Sequence, residues 1–136
     1  MYATVVETTR PPNVSTLAAR LGVSGEDVRG AYGRLAARRV LVVARDGETI
    51  LMAPPFSGVR TQHRVHVGAR AYQANCSWDA LGIAAALHAD AEVRSRCEQS
   101  GEPLRIPIGP SGPATVDCVA HFAVPAARWW DDIVYT

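Results

Sequence analysis

The chain has 136 residues, enough for one ordinary domain or for two small modules that share a core. It is 48% hydrophobic and 20% charged with a formal net charge of +1, which argues against a strongly basic nucleic-acid binder but not against a local basic patch. The sequence contains no apolar run of about 18 residues and no signal-peptide pattern, so it predicts neither a membrane span nor secretion. Its three cysteines are few and odd in number, which favours a reduced, cytoplasmic protein over a disulfide scaffold.

The first third of the chain carries signals for a short leading segment and two helices. Tyr2–Val6 is β-prone and is followed by a break at Pro11–Asn13. Ser15 is predicted to cap a first helix. A second helix begins with Ser24 as its cap and Asp27 three residues later, the spacing of a capping box. Its apolar positions recur at helical spacing and form one stripe, made of Val28, Ala31, Tyr32 and Leu35.

A β-hairpin is predicted after these helices, because Asp46-Gly47 lies between the β-prone runs Val40–Val43 and Thr49–Met52. Helix, turn, helix and hairpin is the order of a winged helix, so residues 15–53 have two interpretations. A DNA-binding module would place the second helix in the major groove, whereas the same fold can also serve as a structural or dimerising module. The helix carries four arginines, Arg29, Arg34, Arg38 and Arg39. Acidic residues at its N-terminal end, where base contacts would be made, favour the structural interpretation and make DNA the less favoured partner.

A break at Pro54–Gly58 predicts a boundary between a winged-helix-like module over residues 1–57 and a second domain over residues 58–136. The second domain is predicted to be a small mixed or antiparallel sheet with a central helix, so the fold class is α+β. The helix covers Ala80–Leu87, and one helical turn covers Ala126–Asp132. Strands are predicted over Val59–Val67, Ala91–Arg96, Leu104–Ile108, Thr115–Phe122 and Ile133–Tyr135.

Metal-binding patterns are weak in this sequence. His63 and His66 are three residues apart on a predicted strand and would face opposite sides, which argues against a shared metal site. The spacings of the three cysteines match no standard zinc motif. No cofactor is therefore predicted.

Cys76 and Asp79 are the residues around which a chemical site is most readily built. They lie three apart at the start of an apolar, helix-prone run, so both side chains can reach the same face. A thiol near a helix N-terminus feels the positive end of the dipole and is expected to ionise more easily. A carboxylic acid in an apolar setting is expected to hold its proton to higher pH. The structural alternative is a core cysteine next to an N-capping aspartate.

Several further motifs follow in a fixed order over about half of the chain. They are Tyr72, Cys76-x-x-Asp79-Ala80-Leu81 with the apolar helix, Val93-Arg94-Ser95-Arg96-Cys97-Glu98-x-Ser100-Gly101, and Leu104-Arg105-Ile106-Pro107-Ile108 with its proline-bearing loop. In this order, from about Val65 to Thr136, the sequence resembles the organomercurial (alkylmercury) lyases. Members of that family also carry an N-terminal winged-helix-like module that packs against the catalytic part, which supports a structural use of residues 15–53.

The resemblance implies that Cys76, as a thiolate, takes the mercury of an organomercurial cation, since Hg(II) is soft and prefers thiolates. Asp79 would move a proton and finally protonate the departing carbon, because the carbon must receive a proton as the bond to mercury breaks. The products would be a hydrocarbon and Hg²⁺, so mercury is substrate and product, held by Cys76 and Asp79. Small organomercurials and cellular thiols are the implied partners. Cys97 matches a structural cysteine of the family and is predicted to be buried.

The sequence departs from the family pattern at one position. The family uses a second metal-gripping cysteine after a strand that residues 133–136 match, and that cysteine would come directly after Thr136. Cys118 lies on an earlier predicted strand and does not match it. The sequence therefore indicates either a truncated lyase or a relative with impaired or changed activity. Two other classes stay open, namely a winged-helix DNA-binding regulator that senses a soft metal through Cys76 and an inert relative without a ligand.

Overall fold

The computed structural model describes residues 1–133 and has the predicted α+β fold. Its α-helices are α1 (Tyr2–Thr8), α2 (Val14–Leu21), α3 (Gly25–Ala37) and α4 (Ser77–Leu87). Its strands are β1 (Val42–Val43), β2 (Ile50–Ala53), β3 (Phe56–Ser57), β4 (Arg64–Val67), β5 (Arg70–Gln73), β6 (Ala91–Arg96), β7 (Pro103–Gly109) and β8 (Gly112–Pro113). They form a three-stranded sheet in the order β1-β2-β3 and a five-stranded sheet in the order β5-β4-β6-β7-β8, and every pairing in the described residues is antiparallel.

The β-prone segment Tyr2–Val6 is helical, so the prediction of an extended opening was wrong. The Val5 side chain is fully buried in the same core as Val65 and Val93 of the larger sheet. The Tyr72 hydroxyl donates a hydrogen bond to the carbonyl of Val6 at 2.8 Å. Packing of α1 on this core therefore outweighs the β propensity of its valines.

The two following helices begin at side-chain caps. Asn13 caps α2 through its Oδ1, which accepts a backbone N–H from the first turn at 2.8 Å, so the predicted cap at Ser15 was wrong. Ser15 instead donates its hydroxyl to the same oxygen. The capping box of Ser24 and Asp27 at α3 is confirmed, with both reciprocal hydrogen bonds present. The predicted stripe of α3 faces inward, since Val28 and Tyr32 are buried and Ala31 and Leu35 are partly buried.

The predicted hairpin forms as β1 and β2, with shorter strands than the sequence indicated. The Asp46 carboxylate closes the turn by accepting the backbone N–H groups of Glu48 and Thr49 at 2.9 Å. The sequence did not predict β3, which pairs with β2 and places the Phe56 side chain in the core of the larger sheet. The boundary after residue 57 and the winged-helix assignment of residues 15–53 stay predictions.

The larger sheet has one apolar face, and α4 packs on it. Three α4 side chains, Ala80, Ile83 and Ala84, are buried, and α4 lies against β4 and β6. On those strands Val65 pairs with Val93 on the covered face, while the neighbouring pair Arg64 and Arg94 is exposed. No helix in the described residues is long and apolar enough to cross a membrane.

Two predicted strands differ in the structure. The strand expected over Val59–Val67 begins only at Arg64, because the Thr61 hydroxyl donates to the Ala74 carbonyl at 2.6 Å and holds the preceding residues in an irregular loop. The strand expected over Thr115–Phe122 is absent from the described structure, since this segment is exposed and has no neighbouring strand to supply hydrogen bonds.

The remaining elements of the second half agree with the sequence. Strands β6 and β7 confirm the predictions for Ala91–Arg96 and Leu104–Ile108. The predicted helical turn is a 3₁₀ helix over Ala126–Asp131. The strand predicted over residues 133–135 lies outside the described residues except at its first position.

Candidate active site

Helix α4 begins at Cys76, which is itself the N-cap residue. Its backbone is extended, with φ −146° and ψ −179°, and its sulfur accepts the backbone N–H of Asp79 at 3.4 Å. Oxygen side chains usually make this bond, and a sulfur is a weaker acceptor. The structural alternative in which the aspartate caps the helix is therefore wrong, because Asp79 is the third helical residue and Cys76 occupies the cap.

The side chains of Cys76 and Asp79 meet at this helix start. The backbone N–H of Asp79 donates to the Cys76 sulfur, the pKa of each side chain is affected by the other, and both residues are partly buried. Asp79 is also held from its other side, because the amide nitrogen Nδ2 of Asn75 donates to its Oδ2 at 2.8 Å. The structure thus brings together the two residues that the sequence singled out. It also adds Asn75 to the site, whose amide nitrogen lies near the backbone carbonyls of Pro55 and Phe56.

The pKa shifts of the pair agree with the prediction for Asp79 and contradict the prediction for Cys76. Burial raises the pKa of the Asp79 carboxyl, as expected, although hydrogen bonds from Asn75 and Cys76 act in the opposite direction. Burial also raises the pKa of the Cys76 thiol, and the backbone N–H of Asp79 offsets only part of that effect. The prediction that the helix N-terminus makes Cys76 ionise more easily was therefore wrong, because loss of solvent outweighs the helix dipole at this thiol.

His63 is a neighbour of this site that the sequence did not indicate. It precedes β4, and its backbone carbonyl accepts the N–H of Ala74 at 3.0 Å, which places it beside the segment leading to Cys76. Its Nδ1 lies 2.8 Å from the Ser95 hydroxyl oxygen. Burial lowers the pKa of His63, while the charges of Glu98 and Asp79 partly raise it. Protonated His63 would in turn stabilise the ionised form of Asp79.

An aromatic cluster lies at the first turn of α4. The Trp78 ring is 60% exposed and contacts Phe122 edge-on, with ring centroids 6.3 Å apart. Phe122 in turn packs on Trp129 at 5.3 Å, and the indole N–H of Trp129 donates to the Val124 carbonyl. These contacts hold the irregular segment after β8 next to the helix start that carries Cys76 and Asp79.

The other two cysteines are separate from this pair. Cys97 follows β6 at a turn and is partly exposed, so the prediction that it is buried was wrong. A hydrogen bond from Ser100 lowers the pKa of its thiol. Cys118 is exposed in the irregular segment after β8, and all three cysteines are free thiols. Within residues 1–133, no group of three or more His, Cys, Asp or Glu side chains is arranged to hold a metal ion.

Asp79 should lower the stability of the folded chain at neutral pH. Its pKa is raised by folding, so the protein loses stability as the pH rises from about 4, the ordinary pKa of aspartate, through the folded value. An asparagine at this position cannot ionise, so the Asp79→Asn variant should not lose stability in this way. We therefore expect its free energy of unfolding at pH 7 to be higher than that of the wild type. Urea denaturation from pH 4 to 8 measures the difference, and a difference that does not grow with pH contradicts the assignment.

Comparison with known proteins identifies the family to which this chain belongs. Residues 56–136 match the family model of the alkylmercury lyases, and the chain belongs to this family. Among solved structures it is similar to the mercury-bound form of MerB2, with 27% sequence identity and a TM-score of 0.64. The match covers 82% of this chain and 54% of that one, so the chain spans about half the length of the solved structure. The comparison with curated proteins gave no match.

Proposed function

We propose that this chain cleaves the carbon–mercury bond of small organomercurials by protonolysis, with Cys76 and Asp79 as the reacting residues. The observation that carries the proposal is the helix start that places Cys76 at the N-cap and Asp79 in the first turn, with the Asp79 N–H 3.4 Å from the Cys76 sulfur, inside the region that matches the lyase family. A soft sulfur ligand and a proton donor at one point are the two groups that this reaction needs.

In the first step Cys76 captures the organomercurial cation. A sulfur–mercury bond forms, and the proton of the thiol passes to the neighbouring Asp79 carboxylate. The raised pKa of Cys76 does not prevent capture, because the proton has an acceptor within the site and need not escape to solvent.

In the second step Asp79 protonates the carbon bound to mercury. The carbon–mercury bond breaks, its electron pair takes the Asp79 proton, and the hydrocarbon leaves while mercury stays on the sulfur as a cation. Burial suits Asp79 to this task, because its raised pKa makes it hold the proton to higher pH than an exposed aspartate does. Two thiols from solution then remove the mercury as a neutral dithiolate, which returns the Cys76 thiol and releases one proton.

Free thiols have a second part in this proposal. Two thiolates activate a carbon–mercury bond better than one, while Cys97 lies at the β6–β7 turn and Cys118 in the exposed segment after β8. A small thiol from solution can therefore act as a further sulfur ligand to the mercury bound at Cys76. Turnover should rise with thiol concentration, because thiols from solution remove the product mercury.

DNA binding by residues 15–53 is the less favoured alternative. Two of the four arginines on or just after α3 that would contact DNA are engaged within the chain. Arg29 forms an ion pair with Glu48 at 2.8 Å, and Arg39 lies over the Trp130 ring at 5.5 Å. With Asp27 committed to the capping box at the N-terminal end, these contacts support a structural use of α3.

Release of a hydrocarbon from a defined substrate tests the proposed function. The chain is incubated with a phenylmercury salt and excess small thiol, and benzene is measured by gas chromatography against a protein-free control. We expect benzene above the control and a rate that increases with thiol concentration. A stable phenylmercury adduct on Cys76 without benzene would contradict the lyase and support a sensor instead.

A further inference from the structure

Asn75 makes a set of contacts that stability alone does not explain. Its Nδ2 donates to Asp79 Oδ2 at 2.8 Å and lies 3.5 Å from the carbonyl oxygens of Pro55 and Phe56. Its own oxygen, Oδ1, is buried and accepts no hydrogen bond in the described structure. Burying an unsatisfied acceptor is unfavourable, so an apolar side chain of similar size would fold at least as well at this position.

The surroundings of Asn75 fix the orientation of its amide. If the amide were turned over, its oxygen would face the two backbone carbonyls of Pro55 and Phe56, and these cannot donate a hydrogen bond. The nitrogen is therefore the atom that faces Asp79, and this holds in both protonation states of Asp79 because the carbonyls stay acceptors in both.

We propose that Asn75 is a positioning residue that determines which oxygen of Asp79 carries the acidic proton. An N–H from Asn75 is donated to Oδ2, and because the carbonyl oxygen of a carboxylic acid is a better acceptor than its hydroxyl oxygen, this bond favours the proton on Oδ1. This inference rests on the proposed function, since it concerns the proton that Asp79 gives to the departing carbon. Asn75 itself does not touch the reacting atoms.

Two consequences follow for the reaction. Without the Asn75 amide the carboxyl group can rotate and carry its proton on either oxygen, so fewer molecules present the proton to the carbon–mercury bond. The pKa of Asp79 should also rise further, since the Asn75 hydrogen bond favours the ionised carboxylate and partly offsets the effect of burial. Capture of the organomercurial at Cys76 should be unchanged, because it needs only an acceptor for the thiol proton.

The test compares Asn75→Ala with Gln73→Ala as a matched control. Gln73 is a partly buried amide two residues earlier that bonds to the backbone N–H of Thr61 at 3.1 Å and not to Asp79. We expect Asn75→Ala to slow benzene release from a preformed phenylmercury adduct about tenfold, with unchanged adduct formation. The pH midpoint of release should move upward in the same variant, and Gln73→Ala should leave both quantities at the wild-type values.

A second readout does not depend on turnover. Carbon-13 NMR of labelled aspartate follows the Asp79 carboxyl directly, and its pKa should be higher in Asn75→Ala than in the wild type and in Gln73→Ala.

Asn75→Leu, a near-isosteric change that removes the buried acceptor, serves if the alanine variant does not fold. Wild-type protein that releases no benzene would overturn the proposed function, whereas the NMR comparison would still decide the role of Asn75. An unchanged pKa together with unchanged release in folded variants would overturn the inference.

Discussion

Replacing Cys76 with serine should abolish both capture and cleavage of organomercurials while leaving the fold intact. A serine hydroxyl is a hard, un-ionised ligand that Hg(II) does not prefer, so the first step of the reaction is lost. Serine is also a better N-cap than cysteine, and α4 should therefore be at least as stable in the variant as in the wild type. Benzene release from phenylmercury should fall to the rate of the protein-free control.

The other free thiols must be removed before capture can be measured. Cys118 is exposed and Cys97 has a lowered pKa, so both should react with a mercurial in their own right. Intact-mass measurements are therefore made in a Cys97→Ser and Cys118→Ser background, where one phenylmercury group should bind with Cys76 present and none with Cys76→Ser. That background should itself retain release, since neither residue has a part in the proposed reaction. Release that survives Cys76→Ser would contradict the site.

Asp79→Asn separates the two steps of the reaction. The amide keeps the size of the side chain and still accepts the Asn75 hydrogen bond, but it cannot deliver a proton. In the same cysteine background we expect the phenylmercury adduct to form more slowly, because the thiol proton must pass to solvent, and benzene release from the formed adduct to fall by a factor of about 100 or more, the usual contribution of a general acid. Because this variant should be more stable than the wild type at pH 7, unfolding would not account for the loss.

The sequence predicted those parts of the structure whose signals are local. The reciprocal bonds of Ser24 and Asp27, and the turn closed by the Asp46 carboxylate, depend on residues only a few positions apart. The contact between Cys76 and Asp79 is local in the same sense, because one helical turn brings them together. Side-chain chemistry and spacing are sufficient for such features.

Features that depend on distant neighbours could not be predicted in this way. Tyr2–Val6 and Thr115–Phe122 have similar β-prone compositions, yet the first is a helix packed on a core and the second is exposed and irregular. Neither has a strand beside it, and composition does not reveal that. His63 lies near the site because its carbonyl pairs with the N–H of Ala74, and the Asn75 amide is oriented by the carbonyls of Pro55 and Phe56, about twenty residues earlier.

The pKa of Cys76 shows the same limit for chemistry. Its position at a helix N-terminus is readable from the sequence and predicts easier ionisation. The burial that reverses this effect arises from the packing of the whole site and is visible only in the structure.

Gly58→Ala should be the most destabilising single change at the junction between the two sheets. A β-carbon at this position would stand 1.9 Å from the backbone oxygen of Ile50 and 2.9 Å from its carbonyl carbon. The Gly58 N–H donates to the Leu51 carbonyl at 2.9 Å, so the two backbones cannot separate without losing this bond. Because both clashing atoms are backbone, the strain cannot relax by rotation of a side chain, and we expect a loss of about 3 kcal/mol.

Gly33→Ala provides the matched control for this change. Gly33 lies in the interior of α3, is exposed, and would have no atom within 4 Å of an added β-carbon. The alanine should therefore raise the free energy of unfolding by about 0.5–1 kcal/mol, because alanine is the better helix former. Urea denaturation of both variants against the wild type measures the two opposite shifts, and equal midpoints for Gly58→Ala and the wild type would contradict the geometry.

The same substitution links the first sheet to the chemistry of the site. Gly58 follows β3 directly, and the carbonyls of Pro55 and Phe56 at the start of that strand orient the Asn75 amide toward Asp79. A backbone shift at Gly58 should therefore slow benzene release from the Cys76 adduct even under conditions where Gly58→Ala remains folded. The Gly33→Ala variant should release benzene at the wild-type rate. Among the described residues, no hydrogen bond joins α3 to the Pro55 or Phe56 carbonyl.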